Sequence, residues 1–474
     1  MMKKLLCLAL CLAMLALLGC GSAESSATNG KTAPGCFMAG YAKVNITPED
    51  SVPLGGYGNS LNRMSTGFID YIYATCLALR DGEGNTVVIM GVDMGGTGGE
   101  IHNIRAKIHQ QLGLPEENVI IAASHMHSFA DLTISEDPSI ARYIPVLTQA
   151  MLDVAEAAVA DLAPAEAWIT DTRTEGLNFV RRYELEGGIF VGYESDITES
   201  GKAIVGHETE ADGQLQLVKF TREEKTDILL ANYQVHPHRG AGSSSTLITA
   251  DLVGAFRDEV TAKLGYDVVY ITGAAGNLNP YSMISEENIT KDFKEQGKAL
   301  ARYAIDADST YTQVETGTIR AVGYNYEGKV DHSTDGMLNI AQEALNYYKQ
   351  TNSVAMLREK YLSQGIHSPN HANQIVARAG SGATNTFRIF ALSVGDIGFA
   401  VAPYEMFDTN GMYIKENSPY KMTVITTCAN GAYGYIPTKT AIEHGGYEPD
   451  NTRYAAGTAE ELQQLYVQLL TELK

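Results

Sequence analysis

Short apolar runs alternate with amphipathic stretches along most of the chain. Apolar runs of about four to eight residues are typical of buried strands, and apolar positions recurring every three or four residues are typical of helices. The runs predict strands over 86–92, 119–123, 167–171, 215–220, 227–233, 268–272, 387–393, 398–401 and 422–427. The amphipathic stretches predict helices over 100–112, 145–160, 252–264, 291–305, 354–363 and 459–473. This alternation predicts an α/β fold on one large mixed sheet, with an α+β arrangement as the alternative.

No linker interrupts this alternation, so the pattern predicts one domain that extends over 38–474. Residues 331–383 depart from it, because they are more polar and their apolar positions are less regular. Segments of this kind commonly lie at the surface, where they carry function. We therefore expect 331–383 to be an insertion that shapes the rim of a pocket.

The first 19 residues have the pattern of an export signal. Lys3 and Lys4 precede an apolar run over 5–18, and a small residue stands before Cys20. This pattern resembles a bacterial lipoprotein signal, which implies cleavage after residue 19 and a lipid on Cys20 that contacts a membrane. The apolar run has 14 residues, whereas a transmembrane helix needs about 20. We expect an exported, membrane-anchored bacterial lipoprotein on the extracytoplasmic side, with residues 20–37 as the lipidated cysteine and flexible tether.

The net charge of the chain restricts the kinds of partner that it can bind. The formal net charge is −21, and it becomes −23 once the two lysines of the signal are removed. Nucleic-acid binding needs basic surfaces that face the phosphates, so this charge argues against a nucleic acid. No segment indicates an obligate protein partner. Cys36, Cys76 and Cys428 follow the signal, and their spacing fits neither a zinc knuckle nor a disulfide framework, which leaves a single bridge open.

Two His-x-His pairs follow predicted strands. Residues 120–127 read Ile-Ile-Ala-Ala-Ser-His-Met-His, and residues 229–238 read Leu-Leu-Ala-Asn-Tyr-Gln-Val-His-Pro-His. Residues at the carboxyl ends of strands face the crevice in which α/β sheets bind ligands. Neutral imidazole is the commonest metal ligand, and a zinc site draws its ligands from separate elements. Alternation along a strand explains one pair alone, but two pairs together favour a metal site.

A zinc site with two histidines needs a carboxylate or another anionic ligand. Glu405 and Asp93 each follow a predicted strand, so the residues alone leave these two carboxylates tied. Arg181 follows a strand-like run over 177–180. Its guanidinium is a candidate for holding an anion or polarising a carbonyl, with a surface salt bridge as the alternative.

Short motifs, read in order, resemble those of the neutral/alkaline non-lysosomal ceramidases. They are Ala-Lys-Val-Asn-Ile-Thr-Pro at 42–48, Leu-Gly-Gly-Tyr-Gly at 54–58, Ala-Ser-His-Met-His-Ser at 123–128, Val-Arg-Arg at 180–182, Val-His-Pro at 235–237, Ala-Asp-Leu-Val-Gly at 250–254, Gly-Asn-Leu-Asn-Pro at 276–280, Gly-Tyr-Ile at 434–436 and Tyr-Glu at 447–448. The resemblance extends from about residue 38 to residue 474, and it implies the fold of the family's N-terminal catalytic domain.

The resemblance implies a zinc amidohydrolase that cleaves the amide bond of ceramide, or of a related N-acyl lipid, by attack of zinc-bound water. Matching motif by motif assigns the Zn²⁺ ligands to His125, His236, Glu405 and Tyr435. The resemblance thereby resolves the tie between the carboxylates in favour of Glu405.

The same resemblance implies roles for the remaining candidates. His127 is expected to transfer a proton to the leaving nitrogen, and Arg181 and Tyr447 are expected to stabilise the developing oxyanion. His238 receives no role beyond the local surface.

Two features depart from the family. Asn279 stands where the family's Gly-Asn/Asp-x-Ser-Pro motif has a serine, and residues 128–131 read Ser-Phe-Ala-Asp where the family continues Ser-Gly-Pro. Asparagine donates a hydrogen bond but cannot act as a nucleophile, so Asn279 is counted among the catalytic candidates as a donor. The carboxyl-terminal sandwich domain of typical bacterial members is not expected, because the sequence ends after the predicted helix over 459–473.

These departures leave two other functions open. One is a zinc amidase or esterase that acts on an envelope glycan or a scavenged metabolite. The other is a surface lipoprotein that binds its ligand without catalysis. Metal analysis separates the second from the enzymes, because a binding protein need not retain stoichiometric zinc.

Overall fold

Two large β-sheets with helices on their outer faces form the core of the fold, and the described residues also form four short sheets of two or three strands. The computed structural model describes residues 35–58, 60–240 and 242–474. Its strands are β1 Met38–Asn45, β2 Gly67–Phe68, β3 Tyr73–Arg80, β4 Thr86–Val92, β5 Val119–Ala123, β6 Ala163–Arg173, β7 Phe179–Val180, β8 Tyr183–Leu185, β9 Ile189–Val191, β10 Ile204–His207, β11 Gln214–Arg222, β12 Ile228–Tyr233, β13 Leu247–Ile248, β14 Asp267–Thr272, β15 Leu278–Asn279, β16 Thr312–Val314, β17 Ile319–Lys329, β18 Thr384–Val394, β19 Ile397–Val401, β20 Glu405–Met406, β21 Met422–Thr426 and β22 Tyr435–Ile436. Its α-helices are α1 Glu100–Leu112, α2 Pro138–Ala160, α3 Glu194–Ser200, α4 Asp251–Leu264, α5 Phe293–Asp306, α6 Leu338–Thr351, α7 Val354–Tyr361, α8 Pro369–Ala379, α9 Asp408–Asn417, α10 Lys439–His444, α11 Tyr447–Asp450 and α12 Thr458–Leu473.

The larger sheet has nine strands and mixed direction. Its order is β14-β12-β11-β6-β1-β3-β4-β5, and β16 pairs with β6. The pairs β4–β5 and β12–β14 are parallel, whereas the other pairs along the order are antiparallel. The second sheet has the order β17-β18-β19-β21, with β19 and β21 parallel. The predicted large mixed sheet and the predicted α/β class are therefore confirmed.

The sheets and helices stack in four layers. Ile89 and Ile120 of the large sheet share an apolar cluster with Phe390 and Leu392 of the second sheet, so the two sheets pack face to face. Helices α1 and α2 cover the other face of the large sheet on one side, and α4 and α5 cover it on the other. Helices α9 and α12 cover the outer face of the second sheet.

Strand β4 shows why the sequence pattern located the central strands well. Val88 and Met90 point into the cluster under the helices, whereas Val87 and Ile89 point into the cluster between the sheets. A strand that is buried on both faces has an unbroken apolar sequence. The predictions for 86–92 and 119–123 therefore agree with the structure to the residue.

Two predicted segments need correction. Helix α2 begins at Pro138 rather than at 145, because the Asp137 side chain accepts hydrogen bonds from the backbone N–H groups of Ser139 and Ile140. A proline is well tolerated at the first helical position. The segment over 331–383 is also more regular than predicted, since α6 and α8 lie in it besides α7, which matches the predicted helix over 354–363, and the three pack around an apolar cluster of their own.

The predicted signal over 1–19, Cys20 and most of the tether lie outside the described residues. Across the described ranges, no helix has the length and apolarity that a membrane crossing requires. Cys36 is exposed, Cys76 and Cys428 are buried, and all three are free thiols.

Candidate metal and catalytic site

The predicted ligands lie where strands end. His125 follows β5, His236 follows β12 and Glu405 follows β19, and each of these strands has a parallel neighbour. Tyr435 pairs with Glu405 in the short parallel ladder of β20 and β22. Because parallel strands bring their carboxyl ends to one edge, residues distant in sequence meet there.

The two histidines face the same carboxylate oxygen. The Nε2 atoms of His125 and His236 lie 3.2 and 3.1 Å from Oε2 of Glu405. The Nδ1 atoms lie 2.6 Å from the Gly95 carbonyl and 2.7 Å from the Ala275 carbonyl. Each Nδ1–H therefore donates to the backbone, which leaves each Nε2 directed at the carboxylate, as in ligating histidines.

This donor set fits a metal ion. Nitrogen lone pairs that face a carboxylate oxygen repel it unless a cation or a proton lies between them. All three side chains are mostly buried, with exposures of 13% for His125, 1% for His236 and 15% for Glu405. Burial, together with the charge of Arg181, lowers the pKa of His236 to about 3, which favours a neutral imidazole there. The cluster can therefore hold a divalent cation of the kind that prefers imidazole and carboxylate ligands.

Glu405 is held in its ionised form. Burial alone would raise the pKa of its carboxyl, but the charge of His125 and hydrogen bonds from His125 and His236 hold that pKa well below its usual range. An ionised carboxylate is the form that ligates a metal.

His127 belongs to the same group of nitrogens. The ligand atoms of His125, His127 and His236 lie within 4.8 Å of one another. Nδ1 of His127 is buried and has no hydrogen-bond partner among the described residues. Burial and the neighbouring histidines lower the pKa of His127 well below its ordinary value, so it is neutral. The position suits either a third nitrogen ligand or the predicted proton transfer, and the predicted role stays a prediction.

Tyr435, Tyr447 and Arg181 form an aromatic and cationic wall beside Glu405. The Arg181 guanidinium carbon lies 5.4 Å from the ring centre of Tyr435 and 5.2 Å from that of Tyr447. The two rings are 5.6 Å apart. Burial and the charge of Glu405 raise the pKa of Tyr435 well above its ordinary value, so the phenol is protonated in this arrangement.

Arg181 is held in place by residues to which the sequence analysis assigned no role. Its Nε donates to Oε1 of Glu448 at 2.7 Å, and its Nη2 donates to the Gly276 carbonyl at 2.8 Å. Glu448 is fully buried, and it also accepts a hydrogen bond of 3.1 Å from Nη1 of Arg182. Glu448 follows Tyr447 directly, so its place in that motif was the available signal.

Asp93 forms an ion pair with Arg257 and does not contact the histidine group. Its two carboxylate oxygens accept hydrogen bonds of 3.0 and 2.6 Å from Arg257, and one of them also accepts from the backbone N–H of Tyr73. The choice of Glu405 over Asp93 agrees with this geometry.

His238 corrects a prediction, because it lies in the site rather than on the local surface. Its ring centre is 5.3 Å from that of His127. Its Nε2 lies 3.1 Å from Oδ1 of Asn279, and Nδ2 of Asn279 donates to Oε1 of Glu194 at 3.1 Å. Asn279 therefore links an imidazole of the site to a carboxylate on α3.

Tyr57 is a further neighbour that the Gly-Gly-Tyr-Gly motif brings to the site. Its ring meets His127 edge-on, with 5.0 Å between ring centres. Gly56 has φ of +111°, and a Cβ atom on it would lie 2.5 Å from Cβ of His127. Arg63 holds this loop by donating to the carbonyls of His127 and Gly55 at 3.1 and 3.0 Å.

Two large cavities of the described structure lie away from the histidine group. A cavity of about 880 Å³ lies between the loops over 45–52 and 65–68 and helix α2, and none of the predicted site residues lines it. A second cavity of about 510 Å³ lies beside His207 and Glu287. The convergence of titratable groups is the better guide to chemistry here, because catalysis depends on their mutual geometry.

Comparison with solved structures identifies the fold. No family model matches the sequence, and no curated protein matches it. The crystal structure of the neutral ceramidase from Pseudomonas aeruginosa matches with a TM-score of 0.68 at 18% sequence identity, over 92% of this chain and 74% of that chain. A ceramidase complexed with C2 matches with a TM-score of 0.68 at 16% identity, over 92% of this chain and 75% of that chain. The resemblance to neutral ceramidases is confirmed for the fold.

Proposed function

We propose that this protein is a zinc-dependent amidohydrolase of the neutral ceramidase type, which cleaves the N-acyl amide bond of ceramide or of a related N-acyl lipid. The observation that supports the proposal best is the approach of His125 and His236, through Nε2, to one oxygen of Glu405. The likeness of fold to two ceramidases supports the choice of an amide substrate.

The residues that would hold the ion are His125, His236 and Glu405, with Tyr435 beside them. A zinc ion bound there supplies a Lewis acid for the acyl carbonyl and lowers the pKa of a water at the site toward about 7. Glu405 contributes the negative charge that makes two neutral imidazoles a sufficient ligand set.

Arg181 and Tyr447 orient the substrate carbonyl in this proposal. Glu448 and Gly276 hold the Arg181 guanidinium in place. It therefore needs little reorganisation energy to stabilise the developing oxyanion. Tyr447 lies against the same guanidinium, and its protonated phenol offers a second donor.

His127 moves the proton that the leaving nitrogen needs. His127 is neutral, and it lies beside the proposed metal ligands His125 and His236. Its Nδ1 has no hydrogen-bond partner in the described part of the chain. Such a nitrogen can take up the proton that the attacking water loses and release it to the leaving amine.

A second candidate is an amidase or esterase whose substrate is more polar than ceramide. Asn279 favours it, because this amide ties His238 to Glu194 where the family has a serine. These three groups add polar hydrogen-bonding capacity close to His127.

A single experiment tests both candidates. The purified chain is assayed for bound zinc and for hydrolysis of a fluorescent ceramide and of short N-acyl amides. We expect about one zinc per chain at the site, with His125→Ala losing both that zinc and turnover. His102→Ala is the matched control, because His102 is exposed on α1. Turnover at the wild-type rate by zinc-free His125→Ala would refute the assignment, and activity on short amides alone would favour the second candidate.

We also propose that a lipid on Cys20 anchors the protein to the extracytoplasmic face of a membrane. The support is the pattern of the first 20 residues. Labelling of cells with a radioactive fatty acid should mark the wild-type protein and leave Cys20→Ser unmarked. Equal membrane association of both forms would contradict the proposal.

A further inference from the structure

A second cluster of metal-ligating side chains lies outside the proposed site. It consists of His367, His371 and Asp450, whose ligand atoms are within 4.8 Å of one another. His367 stands just before α8, His371 lies in its first turn, and Asp450 ends α11. The cluster therefore joins the helical insertion to the short helix that begins with Tyr447.

The donor atoms of this cluster converge on the Asp450 carboxylate. Nδ1 of His367 contacts Oδ2 of Asp450. Nε2 of His371 lies 3.6 Å from Oδ1 of the same carboxylate. This last separation is too long for a hydrogen bond, but it is a normal spacing for two ligand atoms that share an ion of the zinc class.

In the described part of the chain, the Asp450 carboxylate faces two imidazoles and a phenol rather than a lysine or an arginine. Its side chain is 12% exposed, and within the described ranges no lysine or arginine forms an ion pair with it. Arg358 pairs with Asp196 and Glu199 instead, and Arg378 pairs with Asp331. A buried carboxylate needs a counter-charge, which either a protonated His367 or a bound cation shared with His371 supplies here.

Tyr193 completes the surroundings of Asp450. Its hydroxyl donates to Oδ2 of Asp450 at 2.8 Å, and its ring lies 5.8 Å from that of Tyr447. A hydrogen bond of this kind orients a ligating carboxylate. It also connects the cluster physically to the wall of the proposed active site.

We propose that His367, His371 and Asp450 bind a second divalent transition-metal ion, which fastens the helical insertion to the segment that carries Tyr447. Two imidazoles and a carboxylate are the donors that zinc and its neighbours in the first transition row accept. We assign this ion a structural role, because its ligands would join the helical insertion to α11 and none of them belongs to the histidine group around Glu405.

Metal counting tests this proposal. The full chain is purified in zinc-containing buffer, dialysed, and measured for zinc per chain in four forms: wild type, His125→Ala with His236→Ala, His371→Ala, and all three substitutions together. We expect two ions, one ion, one ion and none. His332→Ala is the control, since His332 also pairs with an aspartate but at an exposed position.

The same series separates this inference from the proposed function. One ion in wild type that disappears with His125 and His236, and is unaffected by His371→Ala, would overturn the second site and leave the first intact. It would mean that a protonated His367 neutralises Asp450.

A spectroscopic arm covers the case in which His371→Ala fails to fold. Co²⁺ is added to the chain with His125→Ala and His236→Ala, and its visible ligand-field absorption is recorded with and without Asp450→Asn. Intense absorption that Asp450→Asn removes supports the second site. Absorption of hydrated Co²⁺ only, in the folded protein, would overturn it.

Discussion

The Nε atom of Arg181 donates a hydrogen bond of 2.7 Å to Oε1 of Glu448, and this carboxylate is fully buried. The second oxygen of Glu448 accepts from Arg182, so one acid bridges two neighbouring guanidinium groups, and Glu208 supplies Arg182 with a second negative charge. Glu448 does not need to touch a substrate to matter, because the position of Arg181 depends on it.

We expect Glu448→Gln to lower kcat by at least about tenfold and to lower the free energy of unfolding by about 3–5 kcal/mol, the usual cost of breaking a buried ion pair. Amide hydrolysis and urea unfolding measure the two effects. Glu443→Gln is the control, because Glu443 is exposed on the neighbouring helix α10. Full activity of a folded Glu448→Gln protein would show that Arg181 is held adequately without this charge.

Asn279 gives a second test, directed at the polar network. Removing its side chain with Asn279→Ala leaves Nε2 of His238 and a carboxylate oxygen of Glu194 without their partner. An unsatisfied buried polar group costs about 1–3 kcal/mol of folding stability. Because His238 also loses the group that orients it, we expect kcat/KM to fall about tenfold or more. Asn103→Ala on the exposed side of α1 is the control. Equal kcat/KM in Asn279→Ala and wild type would remove Asn279 from the catalytic candidates.

Asp251 predicts a pH dependence of stability. Burial raises the pKa of its carboxyl to about 6, against the hydrogen bonds from the backbone of Leu252 and Gly240. Because the folded-state pKa exceeds the unfolded value of about 3.9, the protonated carboxyl favours the folded state. This contribution is complete below about pH 4 and is lost as the pH rises through 6, which amounts to about 3 kcal/mol.

We therefore expect Asp251→Asn to gain about 3 kcal/mol of stability relative to wild type when the pH is raised from about 4 to about 7.5. Urea unfolding at the two pH values measures it. Asp258→Asn, exposed on the same helix, should show no such change. A difference between Asp251→Asn and wild type that is the same at both pH values would contradict the prediction.

The central strands were readable from the sequence, because strands such as β4 are buried on both faces and so have unbroken apolar runs. The tie between Glu405 and Asp93 was not resolvable from the residues alone. What distinguishes them is Arg257, which reaches Asp93 from α4, 164 residues further along the chain. His238 was misjudged for the same reason, since its partners Asn279 and His127 come from other elements.

The helices of the insertion over 331–383 were harder to predict than the central strands, for a different physical reason. Its helices bury a small set of side chains, Ala341, Ala344, Leu357 and Ile375 among them, against one another. Helices α6 and α8 are amphipathic, but the apolar side chains that they bury are few, so these positions stand out little from the polar sequence around them. The segment over 331–383 therefore looked irregular, although three helices form in it.

Gly56 provides the last prediction, because it allows the Tyr57 loop to lie against His127. A Cβ at this position would be 2.5 Å from Cβ of His127, and φ is +111°. We expect Gly56→Ala to displace the Tyr57 loop or the His127 ring and to lower kcat/KM by at least about tenfold, since an error of about 1 Å in a catalytic group costs about a hundredfold. Gly84→Ala separates backbone strain from this clash, because Gly84 has φ of +93° with no neighbour within 4 Å of the added Cβ. Both variants should lose stability, measured by thermal unfolding, but only Gly56→Ala should lose activity. Unchanged turnover in Gly56→Ala would mean that the close approach of this loop to His127 does not position the imidazole.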